Sequence, residues 1–196
     1  MFDKVNDFED KIAEYFGSKY SVATDSCTHA IELCLRVSNS NNVSIPMHTY
    51  ISVPFTLDKL KINWSWHYDE WVGYYYIKGT NIIDAAVLWK ENSYISNTYM
   101  CLSFQHKKHL GLSRGGMILL DNKNDYLLLK KMVIDGRNPF ESWIKQDISV
   151  VGYHYYMTPE IAQDGLQKFK KVRDVPSKKW DWNDYPNLTK LTVFAE

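Results

Sequence analysis

The sequence predicts an α/β fold in which a mixed, mostly parallel sheet is flanked by helices. Short apolar segments of strand length alternate with longer segments of helical periodicity, and residues 21–38 follow the order strand, tight turn, helix. A chain of 196 residues can also bury a full hydrophobic core. We expect one main domain over residues 1–172, followed by an irregular C-terminal tail over residues 173–196 that lies outside any motif.

The first part of the chain alternates helix and strand. Residues 5–16 carry apolar side chains at helical spacing, and Gly17 ends this helix. A short apolar strand over residues 21–24 leads through a polar turn into a second helix over residues 27–38. Residues 42–46 predict the next strand. This succession of elements is typical of an α/β sheet.

The alternation continues through the rest of the chain. Residues 50–60 have helical character, although Pro54 disfavours a helix interior. Two further helices are predicted, over residues 125–133 and 159–172. Short apolar or alternating runs predict four more strands, over residues 62–67, 81–84, 99–104 and 116–120.

Composition excludes several classes of function. Lysine plus arginine and aspartate plus glutamate both number 23, so charge gives no reason to expect a nucleic-acid or membrane partner. The N-terminal segment is acidic and amphipathic, unlike a secretory signal. The three cysteines, Cys27, Cys34 and Cys101, have neither disulfide-framework nor metal-type spacing. We therefore expect a cytoplasmic protein with reduced thiols and no metal site.

Three segments contain residues suited to chemistry. Residues 25–33 place Ser and Thr before a helix, which is commonly a simple N-cap but can also bind phosphate. Asp84 ends an apolar strand, where ligands bind in open α/β sheets, although turn aspartates are common there too. Lys107 and Lys108 lie between a strand and a double glycine. These two lysines either belong to a solvated basic loop or include a reactive amine, and the local sequence is compatible with both.

The order and spacing of the three segments resemble the DegT/DnrJ/EryC1/StrS family of pyridoxal 5′-phosphate (PLP)-dependent sugar aminotransferases. The shared features are a helix-opening Ser-x-Thr, a strand ending in Asp-Ala-Ala, and Ser-Phe followed by a lysine and then a double glycine. Ser103-Phe104 and Gly115-Gly116 lie at the offsets that select Lys108 over Lys107. The resemblance covers most of residues 5–172 and implies a reduced version of the fold-type I large domain.

The resemblance implies a role for each matching residue. Lys108 would form the Schiff base with PLP and shuttle the proton. Asp84 would pair with the protonated pyridine nitrogen. The phosphate would be bound by Thr28, Ser103 and the backbone N–H of His29. Tyr50 would lie on the face of the cofactor ring. His154 would occupy the position that reaches a partner subunit.

The resemblance also implies a reaction and partners. An amino donor such as glutamate would supply the amino group, and a nucleotide-linked keto sugar would accept it. A homodimer is expected, with the aromatic stretch over residues 64–76 as part of the contact.

The sequence departs from the family pattern in four respects. The stretch before Asp84 is compressed, and the small C-terminal domain is expected to be largely absent. Val87 stands where the family has a hydrogen-bond donor, and Tyr156 cannot supply the family's guanidinium. Two alternatives follow: a catalytically impaired relative that binds PLP, a nucleotide sugar or a full-length homologue, and an unrelated α/β domain.

Overall fold

The computed structural model describes residues 2–195, and the predicted alternation of elements is present in them. The helices are α1 (Asp3–Phe16), α2 (Cys27–Ser38), α3 (Ser52–Lys59), α4 (Lys123–Met132) and α5 (Pro159–Val172). The strands are β1 (Tyr20–Thr24), β2 (Asn42–Pro46), β3 (Asn63–His67), β4 (Tyr75–Tyr76), β5 (Ile82–Asp84), β6 (Tyr99–Ser103) and β7 (Gly116–Leu120). None of the described helices is long and apolar enough to span a bilayer.

Five strands form one sheet in the order β1-β7-β6-β5-β4, and β2 pairs with β3 separately. The α/β class and the mixed sheet are confirmed. The expected predominance of parallel pairs is not observed: β5–β6 and β2–β3 are parallel, whereas β1–β7, β6–β7 and β4–β5 are antiparallel. The physical reason is clearest at β6 and β7. The loop over residues 104–115 joins them without the crossover helix that a parallel pair needs.

Helices cover both faces of the five-stranded sheet. Along β7, Ile118 and Leu120 point into the cluster that includes residues of α2 and α4. Met117 and Leu119 point the other way, into the cluster that includes α1 and α5. All four side chains are fully or almost fully buried. A strand buried on both faces is an unbroken apolar run, and this explains why β7 shows no polar alternation.

The carboxyl ends of β1, β5 and β6 meet at one edge of this sheet. Gly116, the first residue of β7, pairs with both Thr24 at the end of β1 and Ser103 at the end of β6. Asp84 ends β5, which runs parallel to β6. The polar residues that follow these strands are therefore brought to the same edge.

Gly116 allows α2 to begin directly against this edge. A Cβ at this position would lie 2.5 Å from the backbone N of Cys27 and 2.5 Å from the carbonyl carbon of Ser26. Gly115 adopts φ +140° and forms a bridge with Ser26. The double glycine thus has a local reason, since no side chain fits at Gly116 between β7 and the N-terminus of α2 and the φ of Gly115 favours glycine.

The part of the predicted tail over residues 180–188, called here the 180–188 segment, is attached to the rest of the fold on both sides. The Gly73 N–H donates to the Trp180 carbonyl at 2.9 Å, and the Leu188 N–H donates to the Met47 carbonyl at 2.9 Å. Within the segment, residues Trp182–Asp184 form a 3₁₀ helix closed by a capping box. These contacts hold the segment over the edge where β1, β5 and β6 end.

Candidate active site

A cavity of about 170 Å³ opens at the edge of the sheet where the three strands end. Five of the residues that the sequence singled out line it together: Thr28, Tyr50, Asp84, Ser103 and Lys108. They come from segments as far as 80 residues apart (28 to 108), so only the fold brings them to one place.

One end of the cavity is formed by the N-terminus of α2. Ser26 is the N-cap, and the first N–H groups of a helix have no partner within it. The Thr28 Oγ1 and the Ser52 Oγ lie 2.7 Å apart, and Ser103 adds a third hydroxyl. Hydroxyls around a helix N-terminus attract an anion because the helix dipole and the unpaired N–H groups favour negative charge.

Arg114 brings a positive charge to the same end, which the sequence did not indicate. It lines the cavity, and its Nη2 lies 2.6 Å from Asp25 Oδ2. Because Asp25 also holds the His29 ring at 2.6 Å, the carboxylate is shared between two basic side chains.

The other two predicted contacts do not reach the cavity. The His29 ring stacks on Tyr155 at 3.6 Å between centroids, and the backbone N–H of His29 donates to the Ser26 Oγ at 3.3 Å. The His154 side chain is 69% exposed and pairs with Asp135 at 3.0 Å. Neither histidine is among the residues that line the cavity.

Asp84 lines the same cavity and is buried, with 6% of its surface exposed. Its carboxylate accepts hydrogen bonds from the Tyr75 hydroxyl at 2.6 Å and from the Ala86 N–H at 2.9 Å. Burial raises the pKa of Asp84, while Tyr75, Ala86 and the charge of Lys108 oppose the rise. Among the described residues no cation forms an ion pair with this carboxylate. A bound cationic group would therefore find a preformed partner here.

Lys108 also lines the cavity. Burial lowers the pKa of its amine, with Asp84 and Cys27 raising it and the neighbouring Lys107 lowering it further. Lys107 itself is exposed to solvent and does not line the cavity. A partly buried lysine with a lowered pKa has more neutral amine near neutral pH, which is the form that attacks a carbonyl.

Tyr185 was not predicted as a site residue. The Lys108 Nζ donates a hydrogen bond to the Tyr185 hydroxyl at 3.0 Å. Tyr75 and Cys27 also line the cavity without having been singled out. No local pattern marks Tyr185, because it lies 77 residues from Lys108 in a segment without regular periodicity.

Comparison with known proteins gives a family match over part of the chain and a fold over most of it. The model of the DegT/DnrJ/EryC1/StrS aminotransferase family matches residues 1–60, which span α1 to α3. No curated protein sequence matches the chain. The structural neighbours include aminotransferases of this family, and together these findings confirm the predicted resemblance.

Three solved structures show the extent of the likeness. A sugar aminotransferase from Micromonospora echinospora has a TM-score of 0.73 at 12% identity, covering 87% of this chain and 61% of its own. A DegT/DnrJ/EryC1/StrS aminotransferase from Brucella abortus has a TM-score of 0.66 at 14% identity, with coverages of 88% and 59%. A Streptococcus pneumoniae structure, described as the PLP form of a sugar aminotransferase, has a TM-score of 0.69 at 16% identity, with coverages of 86% and 59%. The chain thus has their fold and spans about 60% of their length.

Proposed function

We propose that the chain binds PLP in this cavity and acts as an aminotransferase, moving an amino group from glutamate to a nucleotide-linked keto sugar. One observation carries the proposal: the partly buried amine of Lys108 shares a cavity with the buried carboxylate of Asp84 and the N-terminus of α2. The substrate class is supported by the likeness to structures described as sugar aminotransferases.

The residues present fit this cofactor. A phosphate suits the hydroxyls of Thr28 and Ser103 at the helix N-terminus. The protonated pyridine nitrogen suits Asp84, whose carboxylate has no cationic partner among the described side chains. Tyr50 lies at the rim, 54% exposed, where its ring is free to cover an aromatic ligand. When bound, PLP supplies an electron sink that stabilises negative charge on the substrate carbon.

Lys108 has two tasks in this proposal. Its neutral amine, which the lowered pKa makes more abundant, would bond to the cofactor aldehyde with loss of water. As a free amine, the Lys108 Nζ would take up a proton from the substrate carbon and would return it in the same half-reaction. A base with a lowered pKa suits this transfer, since general catalysis is most efficient when the pKa lies near the working pH.

Asp84 and the residues behind it hold the opposite end of the cofactor. Tyr75 donates to Asp84 and also hydrogen bonds to the Thr49 hydroxyl, so the carboxylate has a fixed orientation. A charged carboxylate keeps the proton on the pyridine nitrogen, whereas a neutral amide would not. The hydrogen-bonded series Thr49–Tyr75–Asp84 therefore fixes the orientation of the carboxylate, and the charge of Asp84 holds the pyridine proton.

The two adjacent lysines provide a matched test of attachment. We expect purified protein to give a near-ultraviolet to visible absorbance band with PLP, and borohydride to fix the cofactor mass on the peptide containing Lys108. Lys108→Ala should lose both signals because no amine remains in the cavity. Lys107→Ala should keep both, since Lys107 is exposed outside it. Absence of the band in the unmodified protein would refute cofactor binding.

A PLP-binding relative without turnover is the second candidate. It is favoured by the position of His154 on the surface and by Val87, an apolar residue in the cavity wall. Incubation of the PLP-loaded protein with glutamate separates the two candidates. The aminotransferase proposal requires one equivalent of 2-oxoglutarate per site, and a protein that keeps its absorbance band yet releases none fits the second candidate.

We also propose that the protein works as a homodimer in the cytoplasm, with residues 1–172 as the cofactor-binding domain and the tail adding Tyr185 to its cavity. The location is supported by the three cysteines, all of which are free thiols. Cys34 and Cys101 are buried, and their sulfur atoms lie 3.7 Å apart without a bond.

A further inference from the structure

We propose that Tyr185 is a positioning residue for Lys108, supplied to the cavity by the 180–188 segment. The inference rests on the proposed role of Lys108 as the reactive amine. Its basis is the 3.0 Å hydrogen bond from the Lys108 Nζ to the Tyr185 hydroxyl, together with the structure that holds Tyr185 in place.

Tyr185 is fixed on both its backbone and its ring. Its carbonyl oxygen lies 2.8 Å from the His48 Nδ1, and its ring centroid lies 5.5 Å from that of Trp71. The preceding turn is tied by Asp181 and Asp184, each of which accepts a hydrogen bond from the backbone of the turn. A hydroxyl held in this way is a fixed reference point for the flexible lysine side chain, which otherwise has several rotatable bonds.

The hydroxyl can bond the amine in both protonation states. A charged ammonium donates to the phenolic oxygen, and a neutral amine accepts the phenolic proton. Burial and the charge of Asp84 raise the pKa of Tyr185, so its hydroxyl keeps that proton when Lys108 loses its own. Tyr185 can thus hold the free amine of Lys108 whether that amine is charged or neutral.

Trp180 adds a second contact from the same segment. Its ring centroid lies 5.0 Å from the Lys108 Nζ, within the range of a cation–π interaction. Both contacts favour the charged amine, in opposition to burial. The 180–188 segment therefore affects the position and the protonation of Lys108 at the same time.

Competitive acetylation tests this role without cofactor. The protein is treated with limiting acetic anhydride across the titration range of lysine, and the modification of each residue is measured by mass spectrometry. Lys107, next to Lys108, is the internal reference. In Tyr185→Phe the ammonium loses its acceptor while the ring remains, so the Lys108 midpoint should fall by roughly half to one pH unit. The Lys107 midpoint should not move.

Two further variants complete the test. Tyr68→Phe removes a hydroxyl from a residue that is 81% exposed and outside the cavity, and it should leave the Lys108 midpoint unchanged. Trp180→Leu should lower the midpoint, and it provides the test if Tyr185→Phe does not fold. An unchanged Lys108 midpoint in folded Tyr185→Phe would overturn the inference. Because acetylation needs no PLP, failure of the unmodified protein to bind PLP would refute the proposed function separately.

Discussion

Asp84 shows how a single residue carries a conflict between stability and binding. The fold buries its carboxyl group and gives it two hydrogen bonds but no ion pair with a described residue. Burial raises its pKa, so the folded protein holds a proton more tightly at this site than the unfolded chain does. The contribution of Asp84 to stability is therefore greatest below the ordinary carboxyl pKa and is lost as pH rises through the raised value.

Asp84→Asn should stabilise the cofactor-free protein at neutral and alkaline pH. The amide carries no charge, so its burial costs less, and the gain in free energy of unfolding should exceed the roughly 0.5 kcal/mol typical of surface substitutions. The gain should shrink as the pH is lowered and Asp84 becomes protonated. Thermal unfolding across pH measures both effects. The same variant keeps Lys108 but loses the charged partner of the pyridine nitrogen, so it should need a higher PLP concentration to give the absorbance band.

Asp147→Asn is the matched control, since Asp147 is exposed in the segment between α4 and α5. It should change neither the pH dependence of unfolding nor PLP binding. The Asp84→Asn variant could instead be less stable than the unmodified protein at every pH. That result would show that the hydrogen bonds from Tyr75 and Ala86 outweigh the cost of burying the charge.

Contacts between elements decide where the anion-binding end of the cavity lies. The helix α2 begins against β7 because Gly116 leaves room for the backbone of Ser26 and Cys27. If that approach is blocked, the helix N-terminus must move relative to Asp84 and Lys108. The position of the anion-binding end therefore depends on the absence of a Cβ at Gly116.

Gly116→Ala should destabilise the fold and weaken phosphate binding together. The added methyl group would lie 2.5 Å from backbone atoms, which cannot rotate away, and such overpacking costs about 1–3 kcal/mol. Inorganic phosphate and PLP should bind at least several-fold more weakly to the folded variant. Calorimetric titration and denaturant unfolding provide the two measurements.

Gly165→Ala in α5 separates the two effects. Its Cβ would meet the Phe8 ring at 2.8 Å, on the α1–α5 side of the sheet and away from the cavity. The variant should alter stability while leaving phosphate affinity unchanged. Equal loss of phosphate affinity in both variants would mean that Gly116 acts through global stability alone.

At the scale of the whole molecule, the aromatic stretch over residues 64–76 includes apolar side chains that the described part of the chain leaves exposed. Tyr68 and Val72 are 81% and 67% exposed, and Tyr76 is 39% exposed. By contrast, Trp64 and Trp66 from the same aromatic stretch pack against Phe194. Within the predicted homodimer contact, the exposed residues Tyr68, Val72 and Tyr76 are therefore the ones available to a partner.

The double variant Tyr68→Asp/Val72→Asp should shift a homodimer toward monomer by at least tenfold in its dissociation constant, since burying two new charges opposes association. Sedimentation velocity at several protein concentrations measures this shift. Val151→Asp, at an apolar residue that is 77% exposed elsewhere, is the control and should leave the dimer intact. A monomeric mass for the unmodified protein at all concentrations would contradict the dimer.

Local sequence patterns were sufficient for most elements of the fold. The helices α2 and α5 and the strands β2 and β7 have the predicted bounds, because periodicity and end signals act over a few residues. The two-residue strand β4 was missed, since so short a run of tyrosines has no period. Parallel and antiparallel pairing could not be predicted from composition, because the connections decide it.

The sequence by itself determined which residue types were available for chemistry: a lysine before a double glycine, an aspartate ending a strand, and hydroxyls before a helix. Only the tertiary structure decided which of them meet. It brings Asp84 and Lys108 into one cavity, leaves His154 at the surface, and adds Tyr185 to the lysine. The reason is that spacing along the chain records local geometry, whereas a contact across 77 residues depends on how the sheet and the 180–188 segment pack.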